Sequence, residues 1–94
     1  MQDDFDALGI NPSVILQPME AGAILMNKAT GDCFELNRVG VEVWRRLGEG
    51  ELPEVIVSEL AILYGAPVAT VSSDVSELLT QLSRHGLLES KRRR

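Results

Sequence analysis

The sequence predicts an α+β fold in which a three-stranded antiparallel sheet is followed by three helices. Three observations predict it. Short β-branched runs with period-two alternation occupy the chain up to Leu36, and apolar residues recur at three- and four-residue spacing from Gly40 onward. Between these segments Gly, Pro and Asn stand where connections belong.

Residues 1–12 read as an irregular lead-in closing at Asn11-Pro12. The first strand is Val14-Ile15-Leu16-Gln17, β-branched at its start and closed by Pro18, a residue sheets tolerate at an edge. Glu20-Ala21-Gly22 turns the chain into the second strand, Ala23-Ile24-Leu25-Met26. The segment from Asn27 to Asp32 has the composition of a hairpin loop, with Gly31 suited to positive φ. In the third strand, Cys33-Phe34-Glu35-Leu36, alternation sends Phe34 and Leu36 to one face and Cys33 and Glu35 to the other.

Asn37 suits the N-cap of the first helix, because its side-chain oxygen can accept from an unpaired first-turn amide. Gly40, Val43, Trp44 and Leu47 then share one helical face. Glycine costs about 1 kcal/mol against alanine inside a helix, so Gly40 is expected to serve a close approach to the sheet. Gly48-Glu49-Gly50 stops this helix. Pro53 opens the second, whose expected face is Ile56, Leu60, Leu63 and Tyr64, and Gly65 closes it. The third is the longest, with Val71, Val75, Leu78, Leu79 and Leu82 in register and Gly86 as terminator. Leu87 and Leu88 can fold back onto the core. Three helices of a winged helix-turn-helix type can cover one sheet face. The expected organisation is a lead-in over 1–12, one domain over 13–90 and a basic tail over 91–94.

Composition narrows the function. Ninety-four residues permit one domain with a modest core, built mainly from Val, Ile and Leu because only Phe5, Phe34, Trp44 and Tyr64 are aromatic. No apolar run approaches the roughly 20 residues that span a bilayer. The acidic start, from Met1 to Asp6, lacks the basic segment of a secretory signal, and a cytoplasmic protein is expected. Lys91, Arg92, Arg93 and Arg94 hold four of the nine positive charges. Residues 1–90 carry five basic and fourteen acidic side chains, a net charge of −9. That body is a poor match to DNA, which is normally met by a basic face.

Catalysis has no visible machinery. Cys33 is the only cysteine and His85 the only histidine, so no multi-thiolate metal site can form and no metal or cofactor is expected. A Cys–His pair would also need a third group to orient the imidazole. The two are read as structural residues. His85 lies in the last turn of its helix, where a cation is favoured. Cys33 lies on an outward strand face, where disulfide-linked dimers could form in oxidising buffer. Trp44, Leu79 and Leu82 are read as core.

One obligation remains. A three-stranded sheet has two edges, and an edge without Pro or strong charge invites another chain to add a strand. The third strand carries Glu35 but no Pro.

Thr30-Gly31-Asp32-Cys33-Phe34-Glu35-Leu36-Asn37, followed by Gly40, Trp44-Arg45-Arg46-Leu47 and Gly50, resembles the PqqD-like family, the RiPP precursor peptide recognition element. So do Tyr64-Gly65, Asp74-Val75, Leu78-Leu79, Leu82 and Gly86-Leu87-Leu88, and the resemblance spans roughly residues 13–89. The Leu-Asn step before Gly and Trp-Arg resembles stand-alone members of lasso-peptide pathways more than the pyrroloquinoline quinone protein itself, and those members often have an aromatic residue where Cys33 stands. The resemblance implies a non-catalytic peptide-binding adaptor. In such proteins the leader of a ribosomally made precursor peptide adds a strand beside the third strand, in a groove walled by the third helix. Carried onto this chain, the strand is Asp32, Cys33, Phe34, Glu35 and Leu36, and the wall is Val71, Asp74, Val75 and Leu78. The expected partners are a precursor peptide and a maturation enzyme such as a leader peptidase, cyclase or radical SAM enzyme. A homodimer through the exposed sheet edge is a further possibility. Asp74 either favours the electropositive start of its helix or pairs with a Lys or Arg of the ligand. The tail is either solvated or in contact with an acidic enzyme surface. The alternative function is a winged-helix DNA-binding transcription regulator, disfavoured because only Arg84 is cationic between Thr70 and His85.

Overall fold

The computed structural model describes residues 8–90. Its elements run β1 (Leu8–Ile10), β2 (Val14–Met19), β3 (Gly22–Asn27), β4 (Cys33–Asn37), α1 (Arg38–Gly48), α2 (Pro53–Tyr64), α3 (Val68–Arg84) and β5 (Leu88–Ser90). The expected three-stranded antiparallel sheet is β2-β3-β4, and three helices follow it. Met19 pairs with Gly22, so Glu20 and Ala21 alone make the first turn and Gly22 already belongs to β3. A Cβ at Gly22 would lie 1.9 Å from the Leu36 carbonyl oxygen, so only glycine lets β3 and β4 approach there. The second hairpin turns through Gly31 at φ 83°.

Two differences from expectation stand out. The lead-in is not irregular throughout, since Leu8–Ile10 pairs antiparallel with Leu88–Ser90, Leu8 opposite Ser90 and Ile10 opposite Leu88. Both strands are three residues long, too short for any alternation to announce them. Residues 1–7 and the basic tail at 91–94 lie outside the described residues. The second difference concerns α2. Ile56 and Leu60 are buried as expected, but Leu63 and Tyr64 are exposed and Ala61 is buried instead.

Core assembly otherwise follows the periodicity. Leu25 and Leu36 face inward from the sheet and meet Val43, Trp44 and Leu47 of α1. Asn37 caps α1 by accepting from the Gly40 amide at 2.8 Å. A Cβ at Gly40 would sit 3.0 Å from the Leu36 side chain, which explains glycine at a costly helical position. Val75, Leu79 and Leu82 of α3 and the fully buried Leu87 complete the cluster.

The loop after α3 is tied down by two amides. Asn27 is 3% exposed; its Nδ2 donates to the Gly86 carbonyl at 3.3 Å while its Oδ1 accepts from the Ala29 amide at 2.8 Å. Asn11 Nδ2 donates to the same carbonyl at 2.8 Å. Gly86, at φ 71°, presents that carbonyl from a backbone conformation that side chains disfavour.

Candidate functional site

β4 is an outer strand of its sheet. Its inner side pairs with β3, and among the described residues no segment pairs with its outer side. The N-terminal strand, which could have closed that edge, is engaged with β5 instead. α1 leaves β4 without a loop, capped by the strand's last residue Asn37. α3 stands opposite, and a cleft of about 340 Å³ remains between them.

Phe34, Glu35, Leu36 and Asn37 line the cleft from the strand. Val39, Gly40 and Val43 of α1 form one end, and Asp74, Val75, Leu78 and Gln81 of α3 form the far wall. The structure therefore gathers six of the nine expected residues: Phe34, Glu35, Leu36, Asp74, Val75 and Leu78. Asp32 and Cys33 lie at the hairpin end, exposed and off the cleft, and Val71 packs against the core one turn before Asp74. Leu36 and Val75 are buried, while Phe34 and Leu78 are half-buried. The Phe34 ring is further steadied by His85, centroid to centroid 5.4 Å at a 53° tilt. His85 is the C-cap of α3, so this contact joins the far end of the helix to the strand.

Sequence reasoning placed Asn37, Gly40 and Val43 in structural roles and overlooked Val39 and Gln81. A usable signal existed for Gln81, because positions 74, 78 and 81 fall on one helical stripe.

The lining is apolar apart from two carboxylates and two amides. Asp74 is the seventh residue of α3, beyond the first turn, where the helix dipole no longer favours an acid. The dipole alternative for Asp74 is thereby set aside.

Two other hollows differ in kind. A cavity of about 660 Å³ on the opposite flank of α3 is lined by Pro53, Val57, Leu79 and a row of hydroxyl side chains, but no strand edge borders it. Beside α2, Arg46 is shared by Glu42, Glu51 and Glu59, while Arg45 binds Glu42 at 3.0 Å and Glu49 at 2.9 Å. The Arg45 hydrogen bond holds the Glu42 carboxyl below the usual range. Burial and the neighbouring Glu59 push Glu51 above it. Among the described residues no cluster of three or more His, Cys, Asp or Glu could hold a metal ion. No helix there is long and apolar enough to cross a membrane.

Comparison with known proteins bears on this cleft. The family of coenzyme PQQ synthesis protein D, PqqD, matches residues 22–88, a stretch containing β4, α1 and α3. Among solved structures the chain is similar to TbiB1 in complex with the TbiA(beta) leader peptide. Identity there is 30%, the TM-score is 0.80, and the match covers 90% of this chain and 99% of that one. Lasso peptide synthetase B1 complexed with the leader peptide shares the fold, at 21% identity and a TM-score of 0.79 over 87% of this chain and 96% of that one. No curated protein matches the sequence.

Proposed function

This chain belongs to the PqqD family, and from that membership we propose that it is a non-catalytic adaptor for the leader segment of a ribosomally synthesised precursor peptide. The leader adds as a fourth strand to the outer side of β4, filling the cleft against α3. One observation carries the reading: among the described residues the outer edge of β4 is unpaired and faces an apolar helical wall, while the N-terminal strand is engaged elsewhere. Strand addition draws affinity from main-chain hydrogen bonds and selectivity from pockets for alternate side chains. Phe34, Leu36, Val75 and Leu78 supply the apolar pockets here, and Asp32 and Cys33 extend the backbone ladder.

The adaptor hands the tethered peptide to a maturation enzyme, a leader peptidase, cyclase or radical SAM enzyme, by raising its local concentration. Chemistry rests with that partner. An empty β4 edge is also open to a second copy of the chain, which guest binding displaces. The DNA-binding alternative is disfavoured by α3, whose anionic Asp74 and Glu77 outnumber Arg84 and whose apolar stripe faces the cleft.

The test is a titration of the isotope-labelled chain with synthetic TbiA(beta) leader peptide, followed by amide resonances and hydrogen exchange. Shifts should concentrate in β4 and along α3 from Asp74 to Gln81. Alternate β4 amides, those not bonded to β3, should become protected. Perturbations confined to β2 or α2 would exclude this docking mode, and tight binding to duplex DNA would revive the regulator.

A further inference from the structure

Among the described residues, the only formal charges that line the cleft are negative. Glu35 stands on the strand wall and Asp74 on the helix wall, and no described Lys, Arg or His lines the cleft. Four other acids are in ion pairs, whereas Glu20, Asp32, Glu54, Glu77 and Glu89 are in none among the described residues. Glu42, Glu49, Glu51 and Glu59 all bind Arg45 or Arg46. Glu35 and Asp74 are in none of these pairs, and neither makes a side-chain hydrogen bond within the described residues. Both are exposed, so neither is excluded from a guest by burial. Asp74 is also without a local reason, since it lies past the first turn of α3.

We infer that the groove selects a guest segment that is apolar toward the cleft floor and cationic at both rims, one Lys or Arg beside Glu35 and another beside Asp74. This inference rests on the peptide-groove reading and names the class of peptide it takes. Alternation fixes the two positions. In an added strand, side chains on the floor side meet Leu36, Val75 and Leu78, and the residue directly across from Glu35 projects to the opposite face of the sheet. Glu35 already shares its cross-strand position with Ile24, which cannot neutralise it. An opposite charge on the guest side makes a favourable cross-strand pair, whereas a like charge there is repelled. On the helix side, a long basic side chain can lay its aliphatic stem on Leu78 and carry its charge to Asp74.

Each exposed pair is expected to change affinity about two- to fivefold, and the two together about tenfold if independent. The pairs also repel acidic competitors, so the gap between basic and acidic guests is wider than either gain alone.

The experiment uses fluorescence anisotropy with the TbiA(beta) leader peptide as scaffold. Peptide variants place Lys, Gln or Glu in turn at each position and are titrated against the full chain at low and high salt. Lys should bind tightest at two positions, Gln intermediate and Glu weakest, with the spread collapsing as salt screens the pairs. In E35K the preference at one position should invert to Glu, and in D74K the preference at the other should do so, while circular dichroism stays unchanged. Inversion in the charge-swapped pairs is a result that general loss of folding cannot imitate. Peptides that bind the cleft with no charge preference overturn the inference and leave the groove standing. If no peptide of the series binds, both this inference and the proposed function fall.

Discussion

Two residues show how little freedom the strand edge leaves. Gly22 has an ordinary φ, yet a methyl group there would overlap the backbone of β4. Gly22→Ala must therefore displace the strand that forms the cleft, and a cost of at least about 3 kcal/mol is expected in urea unfolding. Among the described residues Asn27 is the one buried polar side chain, and it bonds both its own hairpin loop and the Gly86 carbonyl. Truncation to alanine removes a donor and an acceptor at once. A loss of about 1–3 kcal/mol is expected, measurable as a lowered urea midpoint with an unchanged m-value. Neither role is visible in the sequence, where Gly22 reads as turn and Asn27 as loop. The partners, Leu36 and Gly86, are brought there by tertiary structure.

At the scale of elements, legibility tracked the strength of the repeating pattern. The buried residues of α1 are the four that periodicity named, because Trp44 and its companions alternate sharply with Arg and Glu. The α2 helix is apolar around much of its circumference, so its inward face was assigned correctly for Ile56 and Leu60 and incorrectly for Leu63 and Tyr64. The contrast is measurable. Leu60→Ala should cost about 2–5 kcal/mol, whereas Ile62→Ala, at a site 83% exposed, should stay within about 0.5 kcal/mol. Equal losses in the two variants, read from denaturant midpoints, would show that the orientation of α2 is wrong. The cleft was legible to a comparable degree. Its strand and helix can be read from the sequence, but the α1 end contributed by Val39, Gly40 and Val43 cannot. The reason is geometric: helix spacing reports which residues share a face and says nothing about which neighbour leaves a gap.

For the molecule as a whole, acidity sets the response to pH. Glu42, held low by Arg45, adds stability above its unfolded pKa, and that contribution is lost as pH falls through its folded value. Glu51 has the opposite sign. Its folded pKa is raised, so its relative stabilisation is complete below the unfolded value and disappears as pH climbs through the folded one. Glu51→Gln should thus raise the unfolding midpoint above the usual carboxylate range and leave it nearly unchanged below. A urea midpoint series from about pH 4 to about pH 8 would check this; a gain confined to the acidic end would contradict the assignment. Glu42 lies within α1 and Glu51 in the α1–α2 connection, and neither lines the cleft. The same change should therefore leave peptide affinity unaltered.

The short clasp between β1 and β5 has a consequence for how such a unit can be deployed. Leu8 and Ser90 are register partners, which in an antiparallel pair puts their Cα atoms about 5 Å apart. The polypeptide thus comes into and out of the folded body at adjoining points. A larger protein could open one surface loop, splice this body into it and keep its own scaffold nearly undistorted. Tethering to a catalyst in that fashion would need no long connector, and the outer side of β4 would be as accessible as before.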